Sequence, residues 1–281
     1  MIRKATNADI GKIAMFLEHH IDTSMFLMAN LMAFGTEDTE HPHGTRYFLR
    51  ETGDGVNGVF GATNNGFLLI QMPRLTNAEA QFYAAMMQGY TMAGMTGDDE
   101  QVSMVLDALP LPEDAWAVND GQALFALDLA DLPDGIAGPV RASEDSDLPL
   151  LIDWVTHYLT ETQTGDPAKA AAQAQAFIDQ RQPYLLIEDG QPVAMAALNA
   201  RVGDTVQVGG VFVPKPLRGQ GRAGRMVAGH LAELADEGDT RALLFAASDD
   251  AARAYRKIGF QRVGTYRVAM LREPVTLGNP R

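Results

Sequence analysis

An eight-residue pattern that occurs twice, half a chain apart, constrains this sequence more than any other feature. Ile2-Arg3-Lys4-Ala5-Thr6-Asn7-Ala8-Asp9, with Ile10, Ile13 and Leu17 beyond it, parallels Val140-Arg141-Ala142-Ser143-Glu144-Asp145-Ser146-Asp147, with Leu148, Leu151, Ile152 and Val155 beyond. Each copy starts as a short apolar-basic run and continues as apolar residues at helical spacing, so each half opens as a strand leading into a helix. A period close to half of 281 residues predicts two copies of one α+β unit. The stretch Asp131 to Pro139 holds two prolines, two glycines and two aspartates, which marks a linker. The domains are therefore expected at 1–135 and 139–281.

The remaining pattern fits such units. In the first half a helix is expected over Ser24 to Phe34, with strands at Tyr47 to Glu51, Gly58 to Thr63 and Gly66 to Met72. Helices follow at Asn77 to Gln88 and Gln101 to Leu109, then a strand at Ala123 to Leu129. In the second half, helices Leu150 to Thr162 and Pro167 to Gln180 precede strands Pro183 to Glu188 and Pro192 to Asn199, joined by the hairpin dipeptide Asp189-Gly190. A strand from Thr205 to Val213, a helix from Arg222 to Glu237 stopped by Gly238, a strand from Arg241 to Ala247, a helix from Asp249 to Ile258 and a strand from Gln261 to Leu271 complete it.

Composition narrows the function classes. There is no cysteine, so disulfide scaffolds and cysteine-ligated metal sites are excluded, and no metal site is expected. The net charge of -14 argues against a nucleic-acid or anionic-membrane partner. No window approaches ~18 consecutive apolar residues and no signal-peptide layout opens the chain, which suggests a cytoplasmic protein. The charge is unevenly spread: Thr205 to Arg281 carries +5 and the preceding residues −19. A local basic segment in an acidic protein points to an anionic ligand bound in one place. Eleven of the fourteen methionines lie in Met1 to Met104, and core filling is their expected role.

The chemistry concentrates in Gly210-Val211-Phe212-Val213-Pro214-Lys215-Pro216-Leu217-Arg218-Gly219-Gln220-Gly221-Arg222-Ala223-Gly224-Arg225. An apolar strand, a proline-bearing turn and a glycine-rich arginine loop run directly into a helix. Successive N–H groups, a close backbone approach and the positive helix end suit a pyrophosphate. The glycines also satisfy G-x-G-x-x-G, but Pro214 and Pro216 intervene between strand and loop, unlike a dinucleotide-binding turn.

The segment Ser248-Asp249-Asp250-Ala251-Ala252-Arg253-Ala254-Tyr255-Arg256-Lys257-Ile258-Gly259-Phe260 resembles the N-x-x-A-x-x-x-Y-x-x-x-G-F element of the GCN5-related N-acetyltransferase (GNAT) superfamily, with Ser248 in place of Asn. Arg218, Gly221 and Ala223 match that family's R/Q-x-x-G-x-G/A loop. The wording Gly209-Gly210-Val211-Phe212-Val213-Pro214, with Trp154, Tyr158 and Glu161, looks most like the FR47-like branch. The resemblance implies an α+β three-layer fold in two tandem copies, each a twisted mixed sheet flanked by helices. Its fourth and fifth strands, Thr205 to Val213 and Arg241 to Ala247, would splay apart to admit pantetheine.

The resemblance also implies roles. Val211, Phe212 and Val213 would offer main-chain groups to pantetheine and the thioester. Arg218, Gly219, Gln220, Gly221, Arg222, Ala223, Gly224 and Arg225 would hold the pyrophosphate. Ser248 and Ala251 would border the pantetheine, and Tyr255 would protonate the departing thiolate. No carboxylate lies within Val206 to Val213, so His157 and Glu161, four residues apart on the first helix of the second half, are the candidate general bases.

The expected activity is acetyl (or other acyl) transfer from acetyl-CoA to a primary amine of a small molecule, by direct attack in a ternary complex. A non-catalytic acyl-CoA-binding module and a protein or peptide N-acetyltransferase are the alternatives, and a homodimer is compatible with either. Ala93-Gly94-Met95-Thr96-Gly97-Asp98-Asp99-Glu100 precedes a helix in the first half but carries three acids and no arginine. That half therefore reads as a copy which has lost cofactor binding.

Overall fold

The computed structural model describes residues 2–278. The chain forms two compact units, Met1–Gln122 with Gly264–Arg281, and Ala123–Val263. The expected division at 1–135 and 139–281 is contiguous, and these units are not. In unit 1, β1 (Ile2–Lys4), α1 (Ile10–Glu18) and α2 (Ile21–Phe34) precede β2 (Thr45–Thr52), β3 (Gly55–Thr63), β4 (Phe67–Gln71), α3 (Asn77–Met86), β5 (Thr91–Asp98) and α4 (Asp99–Ala108). The strand β6 (Trp116–Asp128) carries the chain into unit 2, where β7 (Val140–Ala142), α5 (Leu148–Thr162), α6 (Ala170–Asp179), β8 (Tyr184–Glu188), β9 (Gln191–Val202), β10 (Thr205–Phe212), α7 (Arg222–Asp236), β11 (Arg241–Ala246) and α8 (Asp249–Lys257) follow. The last strand is β12 (Gln261–Thr276).

The two sheets repeat one order. Unit 1 runs β1-β2-β3-β4-β5-β12, antiparallel except for the β4–β5 pair. Unit 2 runs β7-β8-β9-β10-β11-β6, antiparallel except for β10–β11. The sixth strand of each sheet comes from the other half of the sequence. Ala123–Asp128 of β6 pairs with β11, from Ala246↔Ala123 to Arg241↔Asp128. Tyr266 to Thr276 of β12 pairs with β5.

The sequence repeat has a physical cause. Arg3 donates from Nη1 and Nη2 to the Asp9 carboxylate at 2.8 and 2.7 Å, and Arg141 makes the same fork on Asp147 at 2.6 and 2.9 Å. Each aspartate also accepts the N–H three residues before it, from Thr6 at 3.0 Å and Glu144 at 2.8 Å. One side chain thus caps the turn that starts the helix and ties it to the first strand. The arginine hydrogen bond is the largest cause holding both carboxyls below the usual range.

Helices cover both faces of the unit 2 sheet. Met226, Val227, Leu231 and Leu234 of α7 bury against Val206, Val208, Leu244 and Phe125, each large side chain contributing about 1.5–3 kcal/mol. On the other face Leu151, Trp154, Val155 and Leu159 of α5, with Ala174 and Ile178 of α6, meet Leu185, Met195 and Phe212. In unit 1, α3 and α4 pack Tyr83, Ala84, Val102 and Val105 on Phe60, Leu68, Ile70 and Met95. Met25, Met28, Met72, Met87, Met92 and Met95 are buried, as core filling requires, while Met15 and Met32 are exposed. Among the described residues no helix is long and apolar enough to cross a membrane.

His230, on α7, is buried and stacks on Tyr184 with ring centroids 4.4 Å apart. Its Nδ1 has no hydrogen-bond partner, and burial pushes its pKa down to about 4. The unfolded chain therefore binds a proton between about pH 6.5 and 4 that the folded chain refuses, so stability falls as pH falls through that window. Urea unfolding at pH 7 and pH 5 should show His230 costing about 2 kcal/mol over that interval. The variant His230→Phe, which keeps the stacking on Tyr184, should lose that part of the pH dependence.

Candidate active site

The parallel pairing of β10 with β11 ends early. It runs from Thr205↔Arg241 to Val208↔Leu244, while both strands continue, β10 to Phe212 and β11 to Ala246. On its other edge β10 is also irregular: Gly209 pairs with Ala197, Phe212 with Met195, and the residues between are bulged, with Gly210 at φ 58. The main chain of Gly209 to Phe212 thus leaves β11, opening a gap between the fourth and fifth strands of unit 2. Val211 and Phe212 end β10 and Val213 follows it, all beyond the last residue paired with β11.

Beyond β10 the chain turns through Lys215–Leu217 into the glycine loop and α7. Gly219 and Gly221 have φ of 80 and 75, which L side chains rarely adopt, and both have open space where a Cβ would stand. Among the described residues no acceptor takes the N–H groups of Gly219, Gln220, Gly221, Arg222, Ala223 or Gly224. No acidic side chain lies in the first turn of α7. Six main-chain donors at the positive end of a fifteen-residue helix, left open by glycine geometry, fit a pyrophosphate.

The loop arginines have protein partners. Arg218 donates from Nε to the Val213 carbonyl at 2.8 Å and from Nη2 to Glu161 at 2.7 Å, with its guanidinium 5.7 Å from the centre of the Phe212 ring. Arg222 and Arg225 both reach Glu188, at the end of β8, with nitrogen–oxygen distances of 2.6 and 2.5 Å. All three guanidinium groups expected on the ligand are therefore paired with carboxylates of the protein.

Glu161 is likewise engaged. Besides Arg218 it has Lys215 at 3.7 Å. Partial burial would raise its pKa, but the Arg218 hydrogen bond and the nearby cations outweigh that and hold it below the usual range. A carboxylate so held is a weak base. His157, one turn earlier on α5, is exposed, with its ring 6.5 Å from that of Phe212. Its Nδ1 lies 2.9 Å from the Asp153 carbonyl oxygen. That oxygen has no hydrogen to give, so Nδ1 is the donor in this bond, and in the neutral imidazole Nε2 is the nitrogen with the lone pair.

The second motif forms the start of α8. Ser248 is its N-cap, accepting the Ala251 N–H at 3.2 Å. This gives Ser248 a helix-capping role whatever it touches besides. Tyr255, two turns on, is buried among Val208, Val213, Ala252 and Phe260. Burial first, and then the nearby Tyr158, push its pKa well above the ordinary tyrosine range. Tyr158 on α5 is itself raised by burial, with the Gly210 main chain and Thr164 acting on its hydroxyl. Trp154 packs 6.0 Å from Phe212. Tyr255, Tyr158, Trp154 and His157 are thus all disposed around the bulged end of β10. Arg267, by contrast, belongs to unit 1, held by Asp99 at 2.7 Å and Asn119 at 2.8 Å.

Unit 1 presents a different picture at the corresponding place. Ala93 to Gly97, read from sequence as part of a loop before a helix, is strand β5. The topological counterpart of the glycine loop is the shorter turn between β4 and α3. There Thr76 caps α3, and the Glu79 carboxylate accepts from the Thr76 N–H at 2.9 Å and hydroxyl at 2.8 Å. Arg50 donates to Glu79 at 3.2 Å and to the Pro73 carbonyl at 2.7 Å. The Met72 N–H, just past β4, is taken by the Gln101 side chain at 2.5 Å. In unit 1 the N–H groups of Met72, Thr76 and Glu79 are answered by the side chains of Gln101, Glu79 and Thr76. A surface cleft of about 380 Å³ in unit 1, bordered by Arg46, Thr63 and Tyr90, includes none of the residues singled out from sequence.

Residues 159–270 match the family described as acetyltransferase (GNAT) domain. Among solved structures, the chain is similar to a GCN5-related N-acetyltransferase from Sphaerobacter thermophilus, at 14% identity, covering 99% of this chain and 96% of that one with a TM-score of 0.63. It is similar to a Drosophila protein at 12% identity, covering 96% and 98% with a TM-score of 0.59. A tandem GNAT protein from the clavulanic acid biosynthesis pathway matches at 11% identity over 97% and 98%, with a TM-score of 0.55. No curated protein matches the chain. At these identities the structural neighbours share the fold, including its two-unit length.

The capping role of Ser248 gives a direct check. Ser248→Ala should destabilise the protein by about 1 kcal/mol in denaturant unfolding, whereas Ser248→Asn, which keeps a capping oxygen, should stay within a few tenths of wild type.

Proposed function

We propose that this chain, an acyl-CoA N-acyltransferase of the GNAT superfamily, transfers an acetyl group from acetyl-CoA to a primary amine of a small molecule at the opening between β10 and β11. One observation carries this reading: six unpartnered N–H groups, from Gly219 to Gly224, stand at the positive end of α7 directly beyond the strand that leaves its neighbour. Acetyltransferases of this family generally use acetyl-CoA, and a diphosphate is the anion that this row of donors suits.

The chemistry supplied by a bound acyl-CoA is an activated thioester carbonyl, open to direct attack by a neutral amine with no covalent enzyme intermediate. The freed main chain of Val211 to Val213 supports an N–H positioned to polarise that carbonyl. Burial keeps the Tyr255 hydroxyl protonated, and its assigned role is to donate to the leaving sulfur as negative charge develops there. The free Nε2 of His157 makes it a better acceptor for the amine proton than Glu161, whose carboxylate is committed to Arg218. The acidic remainder of the protein favours a cationic amine through long-range attraction. Unit 1, whose helix start is filled by Glu79, acts as a scaffold without cofactor.

Release of free thiol from acetyl-CoA over a panel of amines, amino acids and peptides tests the activity. Tyr255→Phe should lower the rate about 10²-fold while CoA binding stays unchanged. An unaltered rate would remove Tyr255 as the acid. His157→Gln should likewise reduce turnover without loss of CoA affinity.

A further inference from the structure

Arg222 is the first residue of α7, where the positive end of the helix makes a cation unfavourable unless an anion accompanies it. Glu188 provides that anion. Arg222 donates from Nε to Glu188 at 2.7 Å, its Nη2 lies 2.6 Å from the same carboxylate, and its Nη1 donates to the Leu217 carbonyl at 2.8 Å. All three nitrogens have protein acceptors, and the Arg222 side chain is only 13% exposed. The other oxygen of Glu188 takes Arg225, one turn along the helix. The hydrogen bond to Leu217 closes the loop across the glycines, so the guanidinium spans the chord of the arc that carries the open N–H groups.

We infer that Glu188 and Arg222 are positioning residues of the acyl-CoA loop: together they hold residues 217–222 in the curvature that presents the N–H groups of Gly219 to Gly224, and Arg222 does not itself meet the phosphates. The inference rests on the proposed acyl-CoA site and departs from the assignment of Arg222 to phosphate contact. A planar fork that reaches a carboxylate and a carbonyl at once is a geometric task for arginine, and lysine offers only a point charge.

The test compares wild type with Arg222→Gln, Arg222→Lys, Glu188→Gln and the double variant Arg222→Gln/Glu188→Gln. The readouts are CoA dissociation constants by calorimetry at two or more salt concentrations and, in the cofactor-free protein, amide exchange of Leu217 and Arg218, whose N–H groups bond to the Pro214 and Lys215 carbonyls. Each single variant, Arg222→Lys included, should weaken CoA binding about tenfold. The double variant should be no weaker than the singles, because both remove one brace. The slope of log Kd against log salt should match wild type, and exchange at Leu217 and Arg218 should quicken while the interior of α7 remains protected. A salt slope reduced by about one unit in Arg222→Gln but kept in Arg222→Lys, with affinity unchanged or tightened in Glu188→Gln, would overturn the inference and make Arg222 a direct phosphate ligand. If wild type binds no CoA, the proposed function fails, and exchange in the free protein still decides the brace: unchanged protection of Leu217 and Arg218 in the variants overturns it.

Discussion

The parting of two parallel strands after Val208 and Leu244 is the constraint on which the remainder of unit 2 turns. A strand that leaves its neighbour must find partners for its main chain or expose it. Here β10 is bulged at Gly210, so its last residues satisfy neither edge regularly, and the side chains of Trp154, His157 and Phe212 gather around that irregular end. The glycine loop repeats the theme one step further along, where left-handed backbone at Gly219 and Gly221 turns the chain into α7 and leaves a row of donors unanswered. Both features leave main-chain groups without regular partners within unit 2.

Electrostatics at this end of the unit is more nearly balanced than the charge of the sequence suggests. Glu188 sits between Arg222 and Arg225, and Glu161 lies against Arg218 and Lys215. An excess of positive charge survives, but much of its effect goes into fixing backbone rather than into attracting anions. Unit 1 shows the alternative outcome on the same topology. A single carboxylate, Glu79, accepts from the cap of α3 and pairs with Arg50, and a single amide, Gln101, takes the donor past β4. Two side chains thus occupy main-chain donors of unit 1 at the place where unit 2 leaves its own open.

Much of this was legible in the sequence because it depends on neighbours in the chain. The Arg3–Asp9 and Arg141–Asp147 forks span six residues, so they appear as a visible repeat. The glycine loop and the segment from Ser248 to Phe260 are local for the same reason, and Asp189-Gly190 adopts the positive φ angles that a tight hairpin needs. The strand β5 was missed because its glycine, threonine and methionine pattern carries no clean alternation. The partnership of Arg222 with Glu188 joins positions 34 residues apart on different elements, and no local spacing signals it. The residues of β6 and β12 were recognised as strands, but periodicity does not say which sheet a strand will enter.

That last point bears on how the chain is made. Thr96 bonds to the main chain of Arg267, 171 residues later, as part of the pairing that completes the sheet of unit 1. During synthesis the amino-terminal half therefore waits, with β5 as a bare edge able to pair wrongly, until β12 has left the ribosome. Cutting the chain at the Asp131 to Pro139 linker would not return two complete sheets. It would leave each half holding the other's sixth strand, so each sheet is completed only when both halves of the chain are present.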